Sequence, residues 1–414
     1  MNLIKEIYKQ SGIDYFTDDY YSLIKSIQQI NISENDKQFS FRENEDNSIY
    51  QSLAIEITQQ NYCNLSCEWC YINQNKRGRK NKPISFEQFK EIIDKIDEFN
   101  RINNVKLFSI VVFMGGEPTL NKDLEKMIHY TLENNLKPIV VTNSLKLANN
   151  EYAKKICLNG VKIVTHIPFC PNNEETNLKL NKLSKNRIYS SRLFQAIENL
   201  VEIRKERHRF EIVGDFVVNK ASIDYAFESY KYCRENGIEP FFEFMRMSND
   251  SESNEKYMLD AQDIINIADK VYQYDLAHNY VNDTPLGKVR YYLPPAINNP
   301  CKLIQDSLHV TFTEEGFGNV TSCCGQDIAH GNIVSDSLES IIKHKAETKI
   351  FSEQTDHIKG PCSVCELYNI SGCEAGCRGN ANNIYHNPEA SDPQCIFIRE
   401  DVKESLELML EKVL

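Results

Sequence analysis

No stretch of this 414-residue chain approaches the roughly 20 consecutive apolar residues that crossing a bilayer requires. The opening residues, Met-Asn-Leu-Ile-Lys-Glu, lack the apolar block of a secretory signal. No membrane partner is expected, and the expected location is the cytoplasm. Basic residues are in deficit: 47 Lys and Arg stand against 59 Asp and Glu, a formal net charge of −12. No basic stripe and no Lys/Arg-rich tail is present, which argues against a nucleic-acid partner. Internal repeats and low-complexity tracts are missing too. What is left is a globular composition, 41% hydrophobic and 26% charged, in a chain long enough for two domains.

Cysteine is the residue in excess, with 14 copies. In a reducing compartment a disulfide framework is a poor explanation, and metal or cluster ligation is the better one. The distribution agrees. Cys63, Cys67 and Cys70 sit together, and a second group runs from Cys301 to Cys395. Between the groups lie only Cys157, Cys170 and Cys233, which read as structural thiols.

Residues 1–50 read as a polar, aromatic-rich leader. From 51 to 250 strands and helices alternate. Strands are expected at 53–58, 109–114, 138–142, 161–167, 210–218 and 239–245. Helices are expected at 85–99, 122–134, 151–158, 191–205 and 222–235. Ser85 with Gln88 makes a capping box, and Gly160 and Gly237 lie just past helix ends. The expected class is α/β, a partial (β/α)6 TIM-like barrel. Residues 251–300 form a connection with a helix at 261–274. Residues 301–414 form a cysteine-rich domain with a hairpin at 308–313 and 319–322, a helix at 337–346 and a C-terminal helix at 399–413.

Cys63-Asn-Leu-Ser-Cys67-Glu-Trp-Cys70 has the form C-x3-C-x2-C and follows the first strand, where βα folds place their chemistry. Three thiolates on a tight loop can ligate three irons of a 4Fe–4S cube, leaving one iron open to a cofactor. A single zinc would want a fourth ligand, and none is obvious nearby. Gly115-Gly116-Glu117-Pro118 follows the second strand. Its glycines let the backbone approach a ligand closely, and Glu117 can pair with a ligand ammonium.

Together the two motifs resemble the radical SAM superfamily, in which an aromatic (Trp69 here) precedes the last cysteine and another (Tyr71) often follows it. The resemblance implies that S-adenosylmethionine (SAM) chelates the open iron and that the loop at 115–118 binds its amino group. It implies weaker SAM contacts at Thr142-Asn143-Ser144, where relatives carry Thr-Asn-Gly, at Ser190-Ser191-Arg192, and at Val217-Val218-Asn219. Each of these also reads as a plain strand end or turn. The chemistry implied is transfer of one electron from a reduced cluster to the sulfonium. The C–S bond breaks, and a 5′-deoxyadenosyl radical abstracts hydrogen from substrate.

The second group comprises Cys301, Cys323, Cys324, Cys362, Cys365, Cys373, Cys377 and Cys395, enough for two four-ligand iron–sulfur or zinc sites. It resembles the SPASM extension, which carries two auxiliary 4Fe–4S clusters. On that pattern Cys362, Cys365, Cys373 and Cys395 hold the outer cluster. Cys301, Cys323 and Cys377 hold the inner one, completed by Cys324, an open iron or another ligand. A base is needed for a net oxidation, and Asp327 is the first candidate. Glu243, Arg246 and His166 are further pocket candidates.

The expected function is modification of a peptide or protein side chain by hydrogen abstraction, giving a cross-link or an oxidation. The electron is expected from an external flavodoxin- or ferredoxin-type donor. A dehydrogenase or rearrangement enzyme acting on a small molecule is the alternative. A non-catalytic iron–sulfur or zinc scaffold is a third reading, against which the Gly-Gly-Glu-Pro turn argues.

Overall fold

A computed structural model describes residues 48–59, 62–65, 67, 70, 83–167, 189–245, 247, 256–280, 307–313, 316–325, 328–348, 358–364 and 376–395. The leader and the helix expected at 399–413 lie outside the described residues, apart from residues 48–50. The chain divides into two compact units. One takes in Asn44–Glu243 and Leu303–Phe351. The other takes in Met1–Glu43, Phe244–Lys302 and Ser352–Leu414.

The larger unit alternates strand and helix: β1 (Tyr50–Thr58), α1 (Phe86–Asn103), β2 (Phe108–Gly115), α2 (Leu124–Glu133), β3 (Lys137–Thr142), α3 (Asn150–Ile156), β4 (Lys162–His166), α4 (Tyr189–Glu206), β5 (Glu211–Val218), α5 (Ile223–Glu235) and β6 (Glu239–Phe244). The second unit contains α6 (Ala261–Ala277). The chain then returns to the first unit with β7 (Ser307–Phe312), β8 (Phe317–Thr321), β9 (Gly331–Asn332) and α7 (Leu338–Glu347). It ends its described part in the second with α8 (Arg378–Tyr385).

The strands form one sheet in the order β6-β5-β4-β3-β2-β1-β7-β8-β9. This is the expected α/β class, with parallel strands in the sequential order of a partial barrel. The order has two ends, so the sheet is open.

Its core follows from the period-two pattern of β1. Leu53, Ile55 and Ile57 are fully buried. Leu53 lies in register with Val111 and Leu308, and Ile55 with Phe113 and Val310. α1 covers this face with Phe89, Ile92, Ile93 and Ile96, and the Phe89 and Phe113 rings sit 5.5 Å apart. The helix starts where the capping box places it. Gln88 N donates to Ser85 Oγ (3.2 Å), and Ser85 N donates to Gln88 Oε1 (3.0 Å). Cys157 and Cys233 are buried in the same unit, and Cys233 Sγ lies 2.6 Å from where a Gly214 Cβ would stand.

The expected hairpin is present as β7–β8, and it does more than pair with itself. β7 is also parallel to β1, so it extends the parallel set of the core sheet. Buried polar groups hold it there. Thr311 Oγ1 donates to Glu56 Oε2 (2.6 Å), and His309 Nε2 lies 3.5 Å from Glu56 Oε1. Lys345 Nζ donates to the Ser307 carbonyl (2.5 Å) and sits 4.4 Å from the centre of the Tyr50 ring. Among the described residues no helix is long and apolar enough to cross a membrane.

His330, just before β9, bonds Ser322 Oγ through Nε2 at 2.7 Å and is buried. Burial first, then the nearby charges of Lys345 and His344, lower its pKa from the ordinary 6.5 to about 4. The unfolded chain therefore takes up a proton between these values that the folded chain refuses. Stability present above pH 6.5 is lost as the pH falls from there towards 4. His330→Gln is expected to flatten this part of the stability–pH profile, measured by urea unfolding at a series of pH values.

Candidate active site

The loop that leaves β1 is built around a close approach of two backbones. Tyr62 N donates to the Gln59 carbonyl (2.7 Å), and Glu117 N donates to the Tyr62 carbonyl (3.0 Å). A Cβ on Gly115 would stand 2.1 Å from the Thr58 carbonyl oxygen, and the residue's φ is +132°. A Cβ on Gly116 would stand 2.5 Å from the Tyr62 oxygen and 2.7 Å from that of Gln59. The sequence suggests that these glycines admit a ligand. What they admit in the structure is the loop that carries Cys63.

Glu117 is 1% exposed. Its Oε1 accepts from Thr119 N (3.0 Å), Thr119 Oγ1 (2.6 Å) and Thr142 Oγ1 (2.6 Å), and its Oε2 accepts from Asn143 N (2.8 Å). Burial pushes the carboxyl pKa up and these donors pull it back. The carboxylate thus ties the end of β2, the 3-10 turn at Pro118–Leu120 and the end of β3 together. Asn143 carries the link on to the cysteine loop. Its Nδ2 donates to Asn64 Oδ1 (2.7 Å) and lies 3.8 Å from Cys63 Sγ.

Cys63, Cys67 and Cys70 are half-buried thiols. Cys70 N donates to the Cys67 carbonyl (3.3 Å), which turns the loop between them. The Cys63 thiol is pushed up to about 12, by burial first and then by Glu117 and Cys70, against the pull of Leu65 N and the Asn143 amide. Burial also raises Cys67, with the charges of Cys70 and Cys63 adding. The three thiols therefore lie within electrostatic reach of one another. Three thiolates there require a positive partner, and a metal cluster that deprotonates its ligands provides one. Three thiols fall one short of the four ligands a structural zinc takes, and they suffice for three irons of a 4Fe–4S cube.

The remaining SAM-contact candidates fall at the same C-terminal strand edge, with different environments. Ser144 takes a positive φ of 61° and is fully buried. Its hydroxyl bonds Thr165 Oγ1 of β4 (2.6 Å), and its N–H donates to Thr142 Oγ1 (3.0 Å). Asn219, at the end of β5, is fully buried too. Its Oδ1 accepts from Ala221 N (2.9 Å), while its Nδ2 has no hydrogen-bond partner among the described residues. Thr58 Oγ1 and Gln59 Oε1, at the end of β1, share that condition. Such orphaned buried polar atoms are what a bound polar ligand would satisfy. Ser191 and Arg192 are exposed on the first turn of α4. His166 ends β4 in register with Asp215 of β5.

In the second unit three cysteines of the C-terminal group meet at one dipeptide. Cys362 N donates to Ser391 Oγ (3.0 Å), Cys377 N to Asp392 Oδ2 (2.6 Å) and Cys395 N to the Asp392 carbonyl (2.9 Å). Cys362, Cys395 and Asp392 are buried, and burial raises the Asp392 pKa against the pull of its donors. Sequence reasoning misses this role of Asp392, in Asp392-Pro393-Gln394-Cys395. The Asp-Pro-x-Cys spelling was its one signal. Cys323 and Cys324 follow β8 in the first unit. Cys301, Cys365, Cys373, Asp327, Cys170, Arg246, Trp69 and Tyr71 lie outside the described residues.

A family model described as the Radical SAM superfamily matches residues 57–230. The 7,8-dihydro-6-hydroxymethylpterin dimethyltransferase of Methanocaldococcus jannaschii is 32% identical over 114 residues, 27% of this chain and 21% of that protein. The chain thus spans about a fifth of that relative's length. The radical SAM cyclopropyl synthase TigE of Paramaledivibacter caminithermalis is 25% identical over 389 residues, 84% of this chain and 74% of that protein. Among solved structures, Streptococcus suis SuiB bound to its precursor peptide SuiA superposes with a TM-score of 0.56 at 17% identity. That match covers 91% of this chain and 80% of that one, a likeness of fold.

Gly115→Ala and Gly116→Ala each place a methyl group on a backbone oxygen, and each is expected to cost about 2–5 kcal/mol. Gly316→Ala has a comparable φ of +141° but open space around it, so it should cost only the strain, about 1–3 kcal/mol. Urea unfolding of the three variants checks the difference.

Proposed function

We propose that the radical SAM domain at residues 57–230 of this chain cleaves SAM reductively and uses the radical to modify a side chain of a peptide or protein. The observation that carries the reading is the cysteine loop docked on the Gly-Gly-Glu-Pro turn, with three mutually interacting thiols at the C-terminal edge of a parallel sheet. A 4Fe–4S cluster held by Cys63, Cys67 and Cys70 would, when bound, supply one electron to the sulfonium of SAM. The chain's own contribution is positional. Glu117 and Asn143 hold the loop against β3, and Asn219 Nδ2 offers a donor to a polar ligand at the end of β5. The burial of Thr58 and Asn219 keeps water from the strand ends that the ligand would meet.

The peptide substrate is supported by the likeness, over 91% of this chain, to a protein solved with a precursor peptide bound. The 32% identical pterin dimethyltransferase favours a small molecule as the second reading, yet its match takes in only 27% of this chain. In this proposal Cys362, Cys365, Cys373 and Cys395 hold an auxiliary 4Fe–4S cluster. Ser391 and Asp392 fix the backbones of Cys362 and Cys395. Asp327 serves as the base that takes the substrate proton. The electron comes from a flavodoxin- or ferredoxin-type donor in a reducing cytoplasm, where the thiols stay free.

Anaerobic protein reconstituted with iron and sulfide and treated with dithionite and SAM should yield 5′-deoxyadenosine, measured by chromatography. Cys70→Ala should lower the yield to background, at least a hundredfold. Cys362→Ala should retain measurable SAM cleavage while losing modification of a candidate peptide. Absence of deoxyadenosine from the unsubstituted protein would refute the reading. Equal loss in both variants would refute the division of labour between the two cysteine groups.

A further inference from the structure

Asn143 uses its backbone N–H and both ends of its side-chain amide. Its backbone N–H goes to Glu117 Oε2 (2.8 Å), and its Oδ1 accepts from Leu145 N (3.2 Å). The two hydrogens of its amide are directed to Asn64 Oδ1 (2.7 Å) and towards Cys63 Sγ (3.8 Å). An asparagine that only shaped the turn after β3 would need its Oδ1 alone, with the amide left to water. Here a buried carboxylate holds the backbone N–H and the cysteine loop holds the side-chain amide. Cys63 Sγ also accepts from Leu65 N (3.4 Å), a backbone donor that no side-chain substitution removes. Asn64 Oδ1 lies 4.0 Å from the same sulfur but can only accept, so among the described residues Asn143 is the side chain that donates to it.

We propose that Asn143 is a positioning residue for the Cys63 ligand, donating an N–H to its thiolate and so raising the reduction potential of the cluster. The inference rests on the reading that Cys63, Cys67 and Cys70 hold a 4Fe–4S cluster. A donor aimed at a ligand sulfur stabilises the more negative, reduced state, and hydrogen bonds to the sulfurs are among the terms that set such potentials. The relay starts at Glu117, whose four donors leave its carboxylate one fixed position, and it ends at a sulfur that must hold still while an electron leaves.

Two variants separate this role from turn formation. Asn143→Ala removes both functions. Asn143→Asp keeps the acceptor for Leu145 N and replaces the donor with a second acceptor. Potentiometric titration of the reconstituted cluster without SAM, followed by electron paramagnetic resonance, reads the potential independently of activity. Asn143→Ala is expected to shift the oxidised-to-reduced ratio at fixed potential about tenfold towards oxidised, or about 59 mV for a one-electron couple. Asn143→Asp is expected to shift it further in the same direction. A second measurement needs no variant. Reduced protein carrying a heavy-nitrogen label on its asparagine side-chain amides should show a nitrogen coupling to the cluster in pulsed resonance spectra. Unchanged potentials in loaded variants, or no such coupling in a loaded cluster, would overturn the role of Asn143 and leave the cluster assignment standing. A wild-type protein that assembles no cluster would overturn both.

Discussion

The contact on which the strand-edge site depends is between two backbones. Gly115 and Gly116 have no Cβ where the carbonyls of Thr58, Gln59 and Tyr62 stand, and Glu117 N closes the approach by donating to Tyr62. The loop from 59 to 70 contains few apolar residues with which to hold itself, Leu65 being the buried one among those described. Docking on the end of β2 gives it a fixed start, one residue before Cys63. The side chain of the same Glu117 then turns inward to Thr142 and Asn143. One tetrapeptide thus joins the ends of β1, β2 and β3. The thiols inherit their places from that junction.

Buried carboxylates serve as knots elsewhere in the chain. Glu56 holds Thr311 and faces His309, fastening β7 to β1. Asp392 takes the backbone N–H groups of Cys377 and Gln394 and the amide of Asn380. A carboxylate out of water is tolerated only when donors replace the water, so each of these residues specifies which segments come together. Two of the three knots pin cysteine-bearing segments. This links polar burial to the chemistry the cysteines are suited to perform.

Much of the fold was legible because its causes are local. The Ser85–Gln88 box, the helical spacing of Phe89, Ile92, Ile93 and Ile96, and the apolar run of β2 depend on residues a few positions apart. The two cysteine groups were legible by spacing alone. α8 was not. Its Arg-Gly-Asn-Ala-Asn-Asn-Ile-Tyr has no apolar stripe and poor helix formers. It is a helix because Asn380 bonds Asp392, Gln394 and Met247 N, and Asn383 bonds the Met247 carbonyl. Ser144 was legible only as a departure from glycine. Its positive φ is supported by a bond to Thr165 on the next strand.

The amino-acid sequence by itself determined the alternation of strand and helix, the caps, and which residues can supply thiolate, carboxylate and close backbone approach. Those properties come from side-chain chemistry and short-range periodicity. Only the tertiary structure decided that Gly115 and Gly116 face a neighbouring loop, that β7 joins the core sheet, and that Asn143 reaches Cys63. These depend on partners far apart in the chain: Thr142 lies 25 residues from Glu117, Asn143 lies 80 from Cys63, and Thr311 lies 255 from Glu56. No local pattern encodes a hydrogen bond at such a separation, because the two groups meet only after the sheet has brought their strands side by side.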